Sequence, residues 1–266
     1  MKKLVSLALA ALMCAPLISC AGEEKEPEET GKTTDTAAAT EEVTEAQTEE
    51  QIKFTEEIMD GKKVYRVQRA AKKDEIDWTK VPAAAIDGYK WVKCTEYKAY
   101  AQLVYAEDFG FVCKMTCEEK DPVATFTETD SAVCLDSCME FFVIFDGEKY
   151  LNLEANSIGT KCQGFGKKRE SRAKVARKLE GGFASIPEVG EDKWTMTYEL
   201  PLDQIQIFYP DVTAETFAAG YEFTGNFYKT GGAEQTGNEH YGMWNVVETE
   251  NPDFHQPSYF GKFIME

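Results

Sequence analysis

The sequence predicts an all-β protein, an antiparallel β-sandwich with minor helical turns. Short runs rich in β-branched and aromatic residues recur between Gly, Pro, Asp and Asn turn signals. Alternation of apolar and polar side chains with period two is repeated along the chain, and helical periodicity is scarce. About 215 residues remain after the N-terminal segments described below, ample for one sandwich core.

The elements follow in order. Residues 64–68, after the Asp60-Gly61 turn, form the first expected strand, and residues 78–91, with Pro82, Asp87 and Gly88, read as a loop. Strands are expected over 99–105 and 109–117, with Phe111, Cys113, Met115 and Cys117 on one face. The organising stretch is 136–159. Met139, Phe141, Phe142, Val143, Ile144 and Phe145 crowd its first half, and Asp146-Gly147 is a hairpin signal. The second half places Tyr150, Asn152, Glu154 and Asn156 on one face and Leu151, Leu153 and Ala155 on the other. The polar row is either an ordinary solvated sheet face or a rigid set of groups for a hydroxyl-rich ligand. Further on, Trp194, Met196, Tyr198 and Leu200 alternate with Thr195, Thr197 and Glu199, residues 201–205 make one helical turn, and 221–228 and 260–265 are the late strands. Phe142 and Phe260 belong in the core.

Residues 1–20 read as an export signal: Lys2 and Lys3, an apolar stretch over 4–17, then Leu17-Ile18-Ser19-Cys20. The last four residues resemble a bacterial lipobox, which implies lipidation of Cys20 and a membrane-anchored protein facing the extracytoplasmic side or cell surface. No later run is long and apolar enough to span a bilayer. Residues 21–51 carry eleven acids against two lysines and no aromatics, the composition of a disordered tether. With two leader lysines and a net −9 over the tether, residues 52–266 carry −11 of the chain's −18. Acidity and export together exclude nucleic acid as a partner. One stretch disagrees: residues 161–178 hold eight basic residues against Glu170 alone. Such a run reads first as a solvated loop, and second as a contact for anionic lipid or acidic polysaccharide.

Outside Cys14 and Cys20 the cysteines are Cys94, Cys113, Cys117, Cys134, Cys138 and Cys162. Export permits disulfides. Cys113 and Cys117 on one strand stand about 13 Å apart, too far to join each other. A structural role is expected, without assigned bonds. No CxxC spacing and only two histidines, His240 and His255, argue against zinc. Neither GxSxG nor HExxH occurs, and no two of the many carboxylates stand out as acid and nucleophile, so a non-catalytic protein is expected. No metal ligand set is identified, structural calcium is left open, and no cofactor is expected.

Several blocks resemble one known family. Asp136-Ser137-Cys138-Met139-Glu140-Phe141-Phe142 and Tyr150-x-Asn152-x-Glu154-x-Asn156 are followed in order by three more. These are Glu199-Leu200-Pro201-Leu202, Gly225-Asn226-Phe227-Tyr228-Lys229, and Trp244-Asn245 leading to residues 252–261. Together they are similar to family 9 carbohydrate-binding modules. The resemblance implies a DOMON-like, jelly-roll-like sandwich over 52–266 that binds mono-, oligo- or polysaccharide and serves carbohydrate catabolism beside glycoside hydrolases. The residues implied for sugar contact are Glu140, Asn152, Glu154, Asn226, Trp244, Phe254 and His255. Carboxylate and amide groups pair with hydroxyls there, aromatic faces cover pyranose C–H faces, and Tyr241 and Tyr259 add aromatics nearby. The family's sugar sandwich uses two tryptophans. This chain has Val133-Cys134 at the first position and Phe254 at the second. DOMON-like relatives also include haem-binding electron-transfer domains, for which Met139, Met243, His240 and His255 are the candidate axial ligands. A sandwich that binds another protein is the third reading.

Overall fold

Each strand expected from the sequence is observed, and three more, Lys161–Gly166, Ala184–Val189 and His240–Met243, join them. The structure, a computed structural model, describes residues 52–91, 97–231 and 239–266. The expected leader, Cys20, the 21–51 tether and Cys94 lie outside the described residues. Eleven principal strands and one helix build the domain: β1 Lys62–Ala70, β2 Ala99–Ala106, β3 Gly110–Cys117, β4 Cys138–Ile144, β5 Tyr150–Asn156, β6 Lys161–Gly166, β7 Ala184–Val189, β8 Trp194–Pro201, α1 Leu202–Phe208, β9 Glu222–Gly231, β10 His240–Met243 and β11 Gly261–Met265. Two-residue strands at Ala84–Ala85 and Gly88–Tyr89 interrupt the stretch expected to be loop, and the expected helical turn runs on to Phe208.

One sheet has the order β6-β5-β4-β9-β11, with β10 paired to the second half of β9, and the other has the order β2-β3-β8-β7. All these pairs are antiparallel. The exception to the antiparallel expectation is β1. Its residues Val64 to Val67 pair in parallel with β11, and its residues Gln68 to Ala70 pair in parallel with β2. One continuous strand therefore belongs to both sheets and joins them, a corner device of sandwiches.

The core lies between the sheets because alternation aims one face of each strand inward. Trp194, Met196, Tyr198 and Leu200 of β8 are fully buried, while Thr195, Thr197 and Glu199 are half-exposed. They meet Met139, Phe141 and Val143 of β4 and Leu151, Leu153 and Ala155 of β5. Tyr198 donates its hydroxyl proton to the Met139 carbonyl, 2.6 Å away across the sheets. Cys113, Cys117 and Cys138 are buried free thiols acting as small hydrophobes.

The outer face of the β6–β9 sheet departs from the expectation of a solvated row. Tyr150, Asn152 and Asn156 are fully buried, and Glu154 is 6 % exposed. Asn152 and Glu154 meet Arg172 and Asn156 meets the loop ahead of β4, while the cover over Tyr150 is the segment between β10 and β11. With Phe142, Tyr150 and Tyr228 of the sheet, its Val247, Phe254 and Phe260 make a second, smaller apolar cluster, flanked by Trp91, Tyr241 and Tyr259. Phe142 and Phe260 are thus core residues, but of this cluster. The basic run 161–178 is corrected too. It is not a loop: β6 takes its first third, Ala173–Lys174 returns along β6, and two short 3-10 turns complete it.

Candidate functional site

The strand register assembles the site in rows. On the outer face Cys162, Glu154, Glu140 and Tyr228 lie side by side across four strands, and the next row is Gly164, Asn152, Phe142 and Asn226. The Asp-Ser start of the organising stretch fixes what borders them. Asp136 is fully buried and accepts hydrogen bonds from the backbone N–H groups of Thr125 and Phe126, at 3.0 and 2.9 Å, and from Asn156 Nδ2 at 2.8 Å. Ser137 accepts from the Val123 N–H and donates to Glu119. These two residues tie neighbouring loops to the sheet.

Over the first row lies a cavity of about 170 Å³. Glu140, Glu154 and Thr230 rise from the sheet, Cys134 and Arg169 come from turns, and Tyr241, Asp253, Phe254 and His255 close it from the C-terminal side. Of the residues expected to contact sugar, Glu140, Glu154, Phe254 and His255 are brought together here. Asn152 sits one step behind, donating to Glu154 Oε1 at 2.7 Å. Asn226 and Trp244 are corrected out of the site. Asn226 is fully buried and donates to the Asn245 carbonyl and to Tyr228, while Trp244 packs in the inter-sheet core against Tyr65, Phe227 and Phe263. Their positions serve packing because the segment leaving β10 turns inward at Trp244.

Five residues were missed: Cys134, Arg169, Arg172, Thr230 and Asp253. Arg172 donates to Asn152 Oδ1 and stands 3.7 Å from Glu154 Oε1. A Cβ on Gly164 would lie 2.6 Å from Asn152 Oδ1 and 3.1 Å from Arg172 Nη1, so glycine there is what lets the guanidinium cross β6. Arg169 faces Asp253 at 3.7 Å. A glycine inside a strand, a few residues ahead of the arginines, was the available signal.

The electrostatics of the cavity follow from its burial. Desolvation pushes Glu140 well above the ordinary glutamate range, and the neighbouring Glu154 pushes it further, against the Thr230 hydroxyl that donates to it at 3.1 Å. Glu154 is also raised by burial, but Arg172 opposes that rise. Glu140 is therefore the carboxyl that keeps its proton longest, and in that form it both donates and accepts. His255 is driven down to about 3 by burial and by Arg172 and Arg169, so its ring is neutral near pH 7. Its Nδ1 is hydrogen-bonded to the Tyr150 hydroxyl at 2.9 Å. The cavity thus presents hydrogen-bonding groups of both senses without a large net charge.

Aromatic surface is less available. Phe254 is 7 % exposed and stacks on Tyr228 with 3.9 Å between centroids and 9° between planes. Trp91 and Tyr241 hold it from other sides, at 5.7 and 6.1 Å. The haem reading does not fit this arrangement. Met139 lies in the inter-sheet core, Met243 in the second cluster, and His240 against Lys229, so only His255 of the four lines the cavity.

The raised Glu140 has a consequence for stability. The native state keeps a proton that the unfolded chain releases near the ordinary glutamate value of about 4.3. Stability from this group is complete below that value and is lost as pH rises toward the raised native value. Glu140→Gln removes this loss. The thermal midpoint of the variant should exceed the parent's increasingly between pH 5 and 8, read by calorimetry; parallel curves would show that Glu140 ionises freely in the native state.

A β-sandwich with a hydrogen-bonding cavity on one sheet face is the architecture of a small-ligand-binding domain. The family model for Carbohydrate-binding family 9 matches residues 70–265, and the chain belongs to that family. Among solved structures, it is similar to a candidate carbohydrate-binding protein from Bacteroides uniformis ATCC 8492. That match has a TM-score of 0.66 and 21 % identity over 77 % of this chain and 100 % of the other. It is also similar to a family 9 module from Caldicellulosiruptor kristjanssonii solved with cellotriose, with a TM-score of 0.53 and 13 % identity over 77 % and 94 %. The structure of a family 9 module from that organism with glucose gives 0.51 and 14 % over 76 % and 94 %. No curated protein matches the chain.

Proposed function

We propose that the domain is a non-catalytic saccharide binder that holds one sugar unit, free or at the end of an oligosaccharide, in the Glu140–Glu154 cavity. The observation that carries this reading is the convergence of Glu140, Glu154, Thr230 and His255 on a cavity of about 170 Å³ in a family 9 fold. Cellotriose and glucose, the ligands of the Caldicellulosiruptor modules, are the first sugars to test. Glu140 donates to and accepts from hydroxyls, Asn152 and Arg172 hold Glu154 in place, and the cavity edge of Phe254 covers part of the ring. Because Phe254 already has one face on Tyr228, polar contacts dominate, and Kd falls in the range of about micromolar to millimolar.

Calorimetry against a glycan panel tests the site. Glu140→Ala should weaken binding by about 1–3 kcal/mol, since the donor and the acceptor of the protonated carboxyl are both lost, whereas Glu140→Gln, which keeps one of each, should weaken it less. Phe254→Ala should cost about as much as Glu140→Ala through lost contact. Saturable binding to no glycan, or binding indifferent to both alanine substitutions, would overturn the assignment.

We further propose that lipidated Cys20 anchors the chain and that residues 21–51 hold the domain away from the membrane, where it captures saccharide for catabolism. The Leu17-Ile18-Ser19-Cys20 end of an apolar stretch supports this. Cys20→Ala should release the protein from the membrane fraction; retention after high-salt washing would place the anchor elsewhere.

A further inference from the structure

The basic run does not spread its charge evenly. Arg169 and Arg172 turn to the cavity, Lys174 pairs with Asp130 at 3.2 Å, and Lys167 pairs with Glu148. Of the others, Lys168 and Lys178 border a separate groove of about 400 Å³, lined also by Lys149, Phe165, Lys167 and Ser171. Lys149, Lys168 and Lys178 are exposed and form no ion pair among the described residues. Phe165 forms an aromatic wall, fixed by Phe208 and Tyr209 at 5.2 Å each, and the Lys149 ammonium lies 5.6 Å from its ring centre. A bounded groove with three uncompensated ammonium groups stands out on a domain of net charge −11.

We propose that this groove is a second binding site, for the carboxylate or sulfate groups of an acidic polysaccharide. Ammonium groups at the rim meet separated anionic substituents, and the Phe165 wall meets the apolar side of a sugar ring. A membrane surface fits less well. Glu148, Glu170 and Glu180 are exposed in the same chain segments as the lysines, and a continuous anionic plane would meet them together with the rest of the acidic domain. A polymer with spaced charges can meet the ammonium groups alone. The 3-10 turn Arg169–Ser171 gives Arg169 to the cavity and Ser171 to the groove. The choice of a saccharide carrier rests on the cavity reading, whereas the anionic charge rests on the lysines.

Affinity electrophoresis of the full chain through dextran sulfate, polygalacturonate and unsubstituted dextran tests this, with phosphatidylglycerol vesicles as a separate arm. Retardation by dextran sulfate or polygalacturonate, absent with dextran and fading as salt rises, is expected, and which of the two acts distinguishes sulfate from carboxylate. Lys168→Glu with Lys178→Glu should weaken it by roughly tenfold or more. Lys120→Glu with Lys193→Glu, the same charge change outside the groove, should leave most of it. An unchanged thermal midpoint shows that the groove variant folds, and the single Lys149→Gln gives a milder check. Glu140→Gln should leave polyanion retardation unchanged, so failure of the cavity reading is seen separately. Equal loss in both double variants, no retardation by either polyanion, or binding to the vesicles alone would overturn the proposal.

Discussion

Lys229→Met should destabilise the domain by about 3–5 kcal/mol, because it leaves a buried carboxylate without its cation. Lys229 is fully buried on β9. Its ammonium lies 3.1 Å from Glu119 Oε2, donates to the Thr230 carbonyl at 2.8 Å, and is hydrogen-bonded to His240 Nε2 at 2.7 Å. It also sits 5.1 Å from the Tyr97 ring centre and 5.8 Å from that of Trp194. Glu119 receives the Ser137 hydroxyl at 2.7 Å and the Trp194 indole N–H at 2.8 Å. Burial alone would raise its pKa, but Lys229 and these two donors outweigh burial and hold it below the ordinary value. The stability it contributes is therefore full above that ordinary value and is lost as pH falls through the lowered one. Adding Glu119→Gln to Lys229→Met should recover part of the loss, since the stranded charge is gone. Urea unfolding of parent, single and double variants measures this; a loss below about 1 kcal/mol for Lys229→Met would mean that water reaches the site.

The other large effect is expected at Phe142, the centre of the outer cluster. Its ring is 5.8 Å from Tyr150 and nearly parallel to it, 5.2 Å from Tyr228, 5.0 Å from the His255 ring and 6.4 Å from Phe260. Phe142→Ala should cost about 3–5 kcal/mol, the sum of lost transfer energy and an unfilled void. Since His255 leans on this ring, the same change should also weaken sugar binding. Phe142→Leu keeps most of the volume and should cost under about 1.5 kcal/mol. Equal stability of the alanine and leucine variants would show that the cover over the sheet closes the void.

What was legible in the sequence was what has a period. β8 alternates cleanly, one face in the core and one partly exposed, and its register follows from the residues alone. The two faces of β5 were likewise separable, so the row holding Asn152 and Glu154 was identified. Its burial was not, because Asn152 and Glu154 are covered by Arg172 and Tyr150 by an irregular segment whose aromatics repeat at no fixed interval. Trp244 and Phe254 look alike in sequence, as isolated aromatics near turn residues, yet one packs between the sheets and the other beside the cavity. Arg172 was hidden differently: in a run of eight basic residues no single charge is marked, and its partner Asn152 lies 20 positions earlier. Thr230 was missed because β9 runs to Gly231, beyond the expected end at 228.

The double membership of β1 bears on the order in which the domain can form. Val64 pairs with Lys262 and Val67 with Met265, so the first principal strand waits for the last. The hairpins β2–β3 and β4–β5 are local and can close early, but the seam between the sheets is a contact between opposite ends of the domain, and loop closure over that length is slow. A chain cut short before Gly261 would leave β1 with only its β2 pairing and a two-residue pairing to Ile58–Met59, and one half of the molecule would lose the strand that fastens it to the other. The two sheets are thus fastened to each other late in folding, and molecules lacking the β11 pairing remain open to proteolysis.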